Sequence, residues 1–311
     1  MSDLLAGISV ATVLVFVAQM VRISVPYALA AVGGTMSERG GVINIALEGM
    51  LLLGALGYTL GAYWTGNAWL GLGAAALAGV LTAAVHAIVT IGFKADQITS
   101  ALGINLAAVG LSKFLLKEIF GSSSNSSRVA GLPTWELPGL SSIPGLGDLF
   151  GSPLVWLAAL LVVLAHVVLF RTPFGLRLRS VGEHPEAAAT LGLSISRLRT
   201  AGVLLSGMLA GLGGAWLASD QRLFTDGMSG GRGYIALAAM IVGKWNPLGA
   251  AAACLLFGFC ETLQIRLQGG AIPNEFLQML PYLVTMIVLA GVIGRAHPPA
   301  AVGKPYEPEA K

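Results

Sequence analysis

The chain has 311 residues, of which 55% are hydrophobic and only 11% charged, and its mean hydropathy is +0.79. Because a soluble domain carries about 25% charged residues, this composition excludes a soluble protein and indicates one that crosses a membrane several times. The formal net charge of +3 needs no nucleic-acid partner, since cytoplasmic loops of membrane proteins are enriched in Lys and Arg. The two cysteines, Cys254 and Cys260, share one apolar run, so a disulfide framework is excluded and no metal site is expected.

Apolar runs near the length that crosses a bilayer as a helix, about 20 residues, recur along the whole chain. We therefore predict an all-α polytopic membrane protein that forms a single transmembrane domain. The second and eighth runs are short and could be re-entrant, which gives eight to ten spans, and losing only one of them would move the N-terminus outside. The ten predicted spans are residues 4–21, 25–36, 42–63, 69–92, 97–116, 153–170, 200–219, 232–243, 248–264 and 276–294.

A basic segment, residues 171–199, divides the chain into a first half, 1–170, and a second half, 200–294. It contains Arg171, Arg177, Arg179, Arg197 and Arg199 between two long apolar runs. Basic residues close to spans are retained in the cytoplasm, so the segment should be cytoplasmic. On the ten-span path both termini are then cytoplasmic, including the tail 295–311, and the Ser/Gly/Pro-rich connection 117–152 is external.

The centre of this basic segment, residues 185–191, is predicted to form a short Ala-rich helix. Pro185 suits the first turn of a helix, where its missing N–H would have no partner anyway. Glu183 and Glu186 complement the positive N-terminal end of the helix dipole. The small alanines would let a soluble partner dock closely. The alternative is an ordinary solvated linker.

A sequence pattern, G-G-x-x-x-I-A-L-x-x-M, begins at Gly40 and again at Gly230, 190 residues later. On the ten-span path the two copies run in opposite directions, which is typical of the inverted repeats of transporters. Chance repetition in a chain rich in Gly and Ala is the alternative.

Among the polar residues inside predicted spans, Asn44, Glu48 and Asn105 are the candidates for a functional role, whereas His86, Glu261 and Gln264 are expected to be structural or interfacial. Asn44 and Glu48 are four residues apart and would share one helix face. We expect the three candidates to line a polar path for a neutral, hydrogen-bonding solute, because buried polar groups in membranes usually face a cavity or a partner helix. The alternatives are hydrogen bonds between helices and, for Glu48, an ion pair with Arg39 or another basic group. Gly207 and Gly211 have the spacing of a close helix contact, either within the chain or with a second chain.

Three segments carry a family resemblance: SERGGVINIALEGMLLLGA at 37–55, GEHPEAAATLGL at 182–193 and VGKWNPLGAAAACLLFG at 242–258. They resemble the permease subunits of bacterial ABC importers of the branched-chain amino acid, ribose and simple-sugar group, and within that group the permeases of nucleoside importers. Glu186, Ala187, Ala188 and Gly192 look like the start of the signature by which such permeases engage their ATPases, although the later Ile-x-Leu-Pro part is missing. The resemblance therefore implies an ATPase-coupling helix that uses Gly182, Glu183, His184, Pro185, Glu186, Ala187, Ala188 and Gly192.

The same resemblance implies a permease of the bacterial plasma membrane that moves nucleosides or simple sugars. Its partners would be an ABC ATPase, a second permease, and an external binding protein or lipoprotein. The second permease could be a copy of this chain, but the resemblance favours a distinct chain. The chain has no phosphate-binding loop of the G-x-x-x-x-G-K-[ST] type, so ATP and Mg²⁺ would be used by the separate ATPase, and the chain itself should be neither an enzyme nor a cofactor carrier. A secondary transporter, with similar repeats and no ATPase, is the competing hypothesis.

Overall fold

A computed structural model describes residues 9–136, 138–139, 143–269, 273–287 and 297–307. In these residues the chain is built from α-helices, which we number in chain order. They are α1 (Val10–Arg39), α2 (Leu47–Thr65), α3 (Ala68–Ala87, followed by a π-helical turn, Ile88–Gly92), α4 (Gln97–Phe120), α5 (Leu146–Phe150), α6 (Pro153–Arg171), α7 (Pro173–Glu183), α8 (Pro185–Thr190), α9 (Ile195–Gln221), α10 (Arg232–Val242), α11 (Pro247–Leu267), α12 (Asn274–Gln278) and α13 (Leu280–Ile287).

Six of the described helices are long and apolar enough to cross a membrane: α1, α3 with its π-helical turn, α4, α6, α9 and α11. The all-helical, multi-pass architecture is thereby confirmed, whereas the count of ten spans is not. Part of the last predicted span, residues 288–294, lies outside the described residues.

The first two predicted spans are a single helix, so the prediction of a break between them is wrong. α1 continues for 30 residues through Pro26. Proline removes only one backbone hydrogen bond, which membrane helices tolerate where neighbouring helices pack around them. The pair Gly33-Gly34 marks a close contact: a Cβ at Gly33 would lie 2.7 Å from the carbonyl oxygen of Ser206 on α9.

Helix α9 is the most buried of the six candidate spans and forms the centre of the bundle. Its glycines allow the backbones of α3 and α2 to approach closely. A Cβ at Gly207 would lie 2.3 Å from the carbonyl oxygen of Gly79, and one at Gly214 would lie 2.0 Å from that of Leu51. The close contact predicted from the glycine spacing is therefore made within the chain.

The bundle has two ends. One end, which we call the coupling end after the coupling helix predicted from the sequence, comprises residues 39–43, 173–199, 243–246 and 297–307. These segments contact one another through backbone and side-chain hydrogen bonds. The loop end comprises residues 121–136 and 222–226, where Asn125 and Thr225 form an isolated antiparallel bridge.

Ser9 and the tail residues 297–307 lie at opposite ends of the bundle. Ser9 begins α1, whereas Gly303 donates its N–H to the carbonyl oxygen of Gly41, just beyond the other end of that helix. The predicted placement of both ends of the chain on one side followed from the split of α1 into two spans. It does not hold for the described residues.

The second copy of the repeated pattern begins a helix too short to cross a membrane. α10 has 11 residues, or about 16 Å at 1.5 Å per residue, against a hydrocarbon core about 30 Å thick. It starts inside the bundle and ends at the coupling end, where Arg39 donates to the carbonyl oxygen of Trp245. The eighth predicted span is thus a half-length helix.

Candidate functional site

A layer of polar contacts lies inside the bundle where α2 and α10 begin. Tyr27, which borders this layer on α1, is roughly 18 Å along the helix axis from Arg39 at the coupling end. The first turns of α2 and α10 meet here: a Cβ at Gly233 would lie 2.4 Å from the backbone nitrogen of Glu48. Both copies of the repeated pattern therefore contribute to the same layer.

Glu48 binds the N-terminus of α10 through its carboxylate. Oε1 accepts a hydrogen bond from the N–H of Gly231 and Oε2 accepts one from the N–H of Gly233, each at 2.7 Å. Backbone N–H groups at a helix N-terminus have no partner within the helix, and the helix dipole favours a negative charge there. The alternative ion pair with Arg39 is not formed; Arg39 lies 3.9 Å from Glu183 instead.

Asn105 links three segments of this layer. It accepts from the N–H of Gly49 at 2.8 Å, and its amide nitrogen donates at 3.1 Å to the carbonyl oxygen of Ile45 and to the hydroxyl of Tyr234. It is 6% exposed. These contacts are the hydrogen bonds between helices that the sequence offered as the alternative to a solute-lining role, which stays a prediction.

Asn44 is not on the helix face predicted for it. The helix begins at Leu47, so Asn44 belongs to the connection after α1 and does not share a face with Glu48. Its amide nitrogen donates to the hydroxyl of Ser206 at 2.8 Å, and the residue is fully buried. The connection is drawn into the bundle because Gly41, at φ 91°, allows the turn that follows Arg39.

A charged cluster that the sequence did not single out lies beside this layer. Arg232 and Glu261 form an ion pair at 3.0 Å, and the hydroxyl of Tyr27 donates to the same carboxylate. All three residues belong to helices in the membrane-crossing bundle, α10, α11 and α1. Glu261 was expected to be structural or interfacial. The sequence signal that could have identified it as a candidate site residue is the high free-energy cost of a carboxylate within an apolar run.

A cavity of about 460 Å³ opens between this cluster and the loop end. A second ion pair, Arg22 to Asp220 at 2.5 Å, lies in its wall. In the sequence Arg22 falls between the first two predicted spans, but it lies within α1, roughly 25 Å from Arg39. Gln19 and Trp216 also line the cavity.

The predicted short helix at the centre of the basic segment is present as α8. His184 precedes it, Pro185 is its first residue, and Gly192 follows it at φ 79°, a conformation that suits glycine. Gly182 is buried against the end of α1, where a Cβ would lie 2.1 Å from the carbonyl oxygen of Arg39. Gly182 belongs to α7, so α8 is joined to this membrane-crossing helix through the end of α7.

The two faces of α8 differ in accessibility. His184, Glu186 and Ala187 are exposed, and Leu191 at its end is 81% exposed. Ala188 is 3% exposed because it packs with Val181 and Ile195. The small side chain of Ala188 therefore serves packing within the chain, and Leu191 is the exposed apolar residue that the sequence reading did not single out.

The tail packs beside α8. Ala301 donates to the carbonyl oxygen of Gly182 at 2.9 Å, and Arg199 donates to that of Lys304 at 2.9 Å. Tyr306 packs against the cluster that contains Ala188. A cavity of about 380 Å³ lies between the tail and residues 183–187. In the described residues no group of three or more His, Cys, Asp or Glu is placed to hold a metal ion.

Comparison with known proteins gives one family and close relatives. The family model for the branched-chain amino acid transport system permease component matches residues 16–289. The chain is 43% identical to the guanosine ABC transporter permease protein NupQ of Bacillus subtilis (strain 168), over 90% of this chain and 92% of that protein. It is 42% identical to the nucleoside ABC transporter permease protein NupC of Lactococcus lactis subsp. cremoris (strain MG1363), over 95% and 97%.

A more distant relative is the putative glucose ABC transporter permease protein TsgC13 of Haloferax volcanii, 33% identical over 86% of this chain and 88% of that protein. No solved structure matches. These likenesses cover nearly the whole helical bundle and favour an ABC permease over a secondary transporter. The chain belongs to the family of branched-chain amino acid transport system permease components, and is a multi-pass membrane permease of the ABC type.

Proposed function

We propose that this chain is the permease of an ATP-driven importer of nucleosides. The observation that carries the proposal is the similarity, above 40% identity over at least 90% of the chain, to permeases named for guanosine and for nucleosides. The relative named for glucose is 33% identical, which makes a sugar the second candidate solute. The permease would work with an ABC ATPase, a second permease that is a distinct chain, and an external binding protein or lipoprotein.

The coupling end faces the cytoplasm in this proposal. It carries the basic residues Arg39, Arg177, Arg179, Arg197 and Lys244, and Lys94 lies beside it, paired with Glu307 of the tail. An excess of Lys and Arg beside spans is typical of cytoplasmic loops. The loop end then faces outward in a bacterial plasma membrane, where the binding protein would deliver the solute.

The exposed face of α8 would receive the ATPase. α7, which leads directly into α8, touches α1 through Gly182, and α8 touches α9 through Ala188 and Ile195. α1 and α9 contact each other along the bundle. A displacement of α8 by the ATPase would therefore be passed to the helices that border the cavity. ATP and Mg²⁺ would be bound by the ATPase, and this chain would supply only the mechanical connection.

The solute is tested by reconstituting the permease with its ATPase, second permease and binding protein in proteoliposomes. We expect uptake of radiolabelled guanosine or uridine that requires internal ATP, and no uptake of glucose. Uptake of glucose but not of nucleosides would show that the proposed solute, a nucleoside, is wrong. Uptake driven by an ion gradient without ATP would contradict the importer itself.

The docking face is tested by crosslinking from single cysteines in a background with Cys254→Ala and Cys260→Ala. A cysteine at Ala187, on the exposed face, should crosslink to the ATPase in a nucleotide-dependent way. A cysteine at Ala188, on the buried face of the same helix, is the matched control and should react poorly. Reaction of Ala187→Cys with impermeant reagents from outside would overturn the orientation.

A further inference from the structure

We infer that the cavity between α1, α9, α10 and α11 is the outward-facing solute site of this permease, and that the Tyr27–Glu261–Arg232 cluster is its closed floor. The inference deepens the proposed function, on which it rests for the identity of the solute. Its own evidence is the geometry of the cavity.

The cavity has the size and position of a solute site. Its volume of about 460 Å³ lies within the range of roughly 300–1,000 Å³ that is common for small-molecule sites. Along α1 it extends from Val15, near the loop end, to Pro26, next to Tyr27 of the floor. It therefore reaches from the loop end to the middle of the bundle, where the first turns of α2 and α10 meet.

Four of the five charged residues that line the cavity form two ion pairs, and the fifth is Asp148 of α5. Arg22 is paired with Asp220 in the wall, and Arg232 with Glu261 at the floor. Charged groups are expensive in the membrane interior and, when present, usually face a polar cavity and mark a solute path. These four residues come from three membrane-crossing helices and α10, so their meeting at one cavity is a tertiary arrangement.

This pairing suits an uncharged solute. Each guanidinium already has a carboxylate partner, so neither is free to neutralise an anionic solute, and the Asp148 carboxylate would repel one. The paired groups still present both donors and acceptors, and Gln19 adds an amide. The remaining wall contains Val15, Ala18, Ile23 and Leu217, which offer an apolar surface to a heteroaromatic ring. A nucleoside combines such a ring with a hydroxylated sugar.

The floor separates this site from the coupling end. The Tyr27 hydroxyl and the Arg232 guanidinium both donate hydrogen bonds to the Glu261 carboxylate. Arg232 is the first residue of the half-length helix α10. Just after the other end of α10, the carbonyl oxygen of Trp245 accepts a hydrogen bond from Arg39. A movement at the coupling end can thus pull on α10 and break the floor contacts. The solute would pass only when Arg232 leaves Glu261.

The test measures occupancy and passage separately in the complete transporter with its binding protein. For occupancy, Gln19→Cys is introduced in the background with Cys254→Ala and Cys260→Ala, and labelled with an impermeant maleimide. Labelling should slow severalfold when guanosine and binding protein are added. Ser122→Cys, exposed at the loop end outside the cavity, is the control and should label at an unchanged rate. Equal labelling of Gln19→Cys with and without guanosine overturns the site.

For passage, Arg232→Gln removes the charge at the floor and keeps a hydrogen-bonding side chain. Guanosine uptake should fall about tenfold while ATP hydrolysis stimulated by the binding protein remains, since the defect lies after docking. Arg266→Gln, an exposed charge change beyond the cavity on α11, is the matched control and should keep full uptake. Full uptake by Arg232→Gln overturns the floor.

Failure of the inference is distinguishable from failure of the proposed function. If the unaltered transporter takes up guanosine but neither Gln19 labelling nor Arg232→Gln shows the expected effect, the cavity is not the site. If it takes up glucose instead, the proposed solute is wrong, and the same labelling with glucose decides the site.

Discussion

The carboxylate of Glu48 accepts a hydrogen bond from the backbone N–H of Gly233 at 2.7 Å, so the first turn of α2 caps the first turn of α10. These residues belong to the two copies of one sequence pattern. The contact joins segments 185 residues apart in the chain. It couples the half-length helix at the floor of the cavity to the interior of the bundle.

Removing this cap should destabilise the permease. Glu48→Ala deprives two N–H groups of their acceptor, and loss of a helix cap costs about 0.5–2 kcal/mol. Glu48→Gln retains one acceptor and should lose less. The measurement is thermal unfolding in detergent, with the exposed Glu118→Ala on α4 as the control. Equal stability of Glu48→Ala and Glu118→Ala would contradict the capping role.

The same variants address the predicted path role of Glu48. If Glu48→Gln folds and transports at the normal rate, the negative charge is not needed by the solute, and the residue acts through its hydrogen bonds to α10. Uptake reduced severalfold at unchanged stability would instead support the path role.

Gly207→Ala should be strongly destabilising. The added methyl group would lie 2.3 Å from both the Gly79 carbonyl oxygen and the Ala83 Cβ, so α3 and α9 must separate. Overpacking of this kind costs about 1–3 kcal/mol or more. Gly73→Ala on α3 is the matched control, because a Cβ there meets nothing within 4 Å. We expect that control to be neutral or stabilising in thermal unfolding, since Ala favours helix over Gly.

Leu191→Ser should uncouple the permease from its ATPase. Leu191 is 81% exposed at the end of α8, and an apolar side chain in that position fits a pocket on a partner. The expected result is a severalfold loss of ATP-dependent uptake with an unchanged amount of folded permease. Leu176→Ser on α7, also exposed at 62%, is the control. An equal loss of uptake in both variants would show that Leu191 of α8 is not a specific contact with the ATPase.

Arg199→Ala should loosen the tail. The Arg199 side chain is 3% exposed and donates to the carbonyl oxygen of Lys304, whereas Arg197, two residues earlier, is exposed. Hydrogen–deuterium exchange in residues 297–307 should therefore accelerate in Arg199→Ala and stay unchanged in Arg197→Ala. Unchanged exchange in both would mean that the backbone bonds of Gly182 and Gly41 hold the tail without Arg199.

The sequence predicted several local features well. The helices near 69–92, 97–116, 153–170 and 248–264 were found because each is a long apolar run with a polar boundary. The short helix at Pro185 was found from its proline and alanines. It also indicated that residues 40–50 and 230–240 correspond, and these segments do meet in the bundle.

Other features depended on tertiary contacts. Arg22 interrupts the apolar pattern and looks like a membrane edge, yet α1 continues because Asp220 compensates the charge from another helix. Likewise, nothing local shows that Ala188 faces inward while Leu191 faces outward, since that depends on which side of α8 meets Ile195.

By itself the sequence determined that this is a multi-pass helical permease of the ABC type, because hydrophobic length and family motifs are local properties of the chain. Only the tertiary structure decided that Arg22, Asp220, Arg232 and Glu261 surround one cavity and that Glu48 caps α10. The physical reason is that a charge or a free N–H group inside a membrane is stabilised by its partner, and these partners lie on helices far away in the sequence.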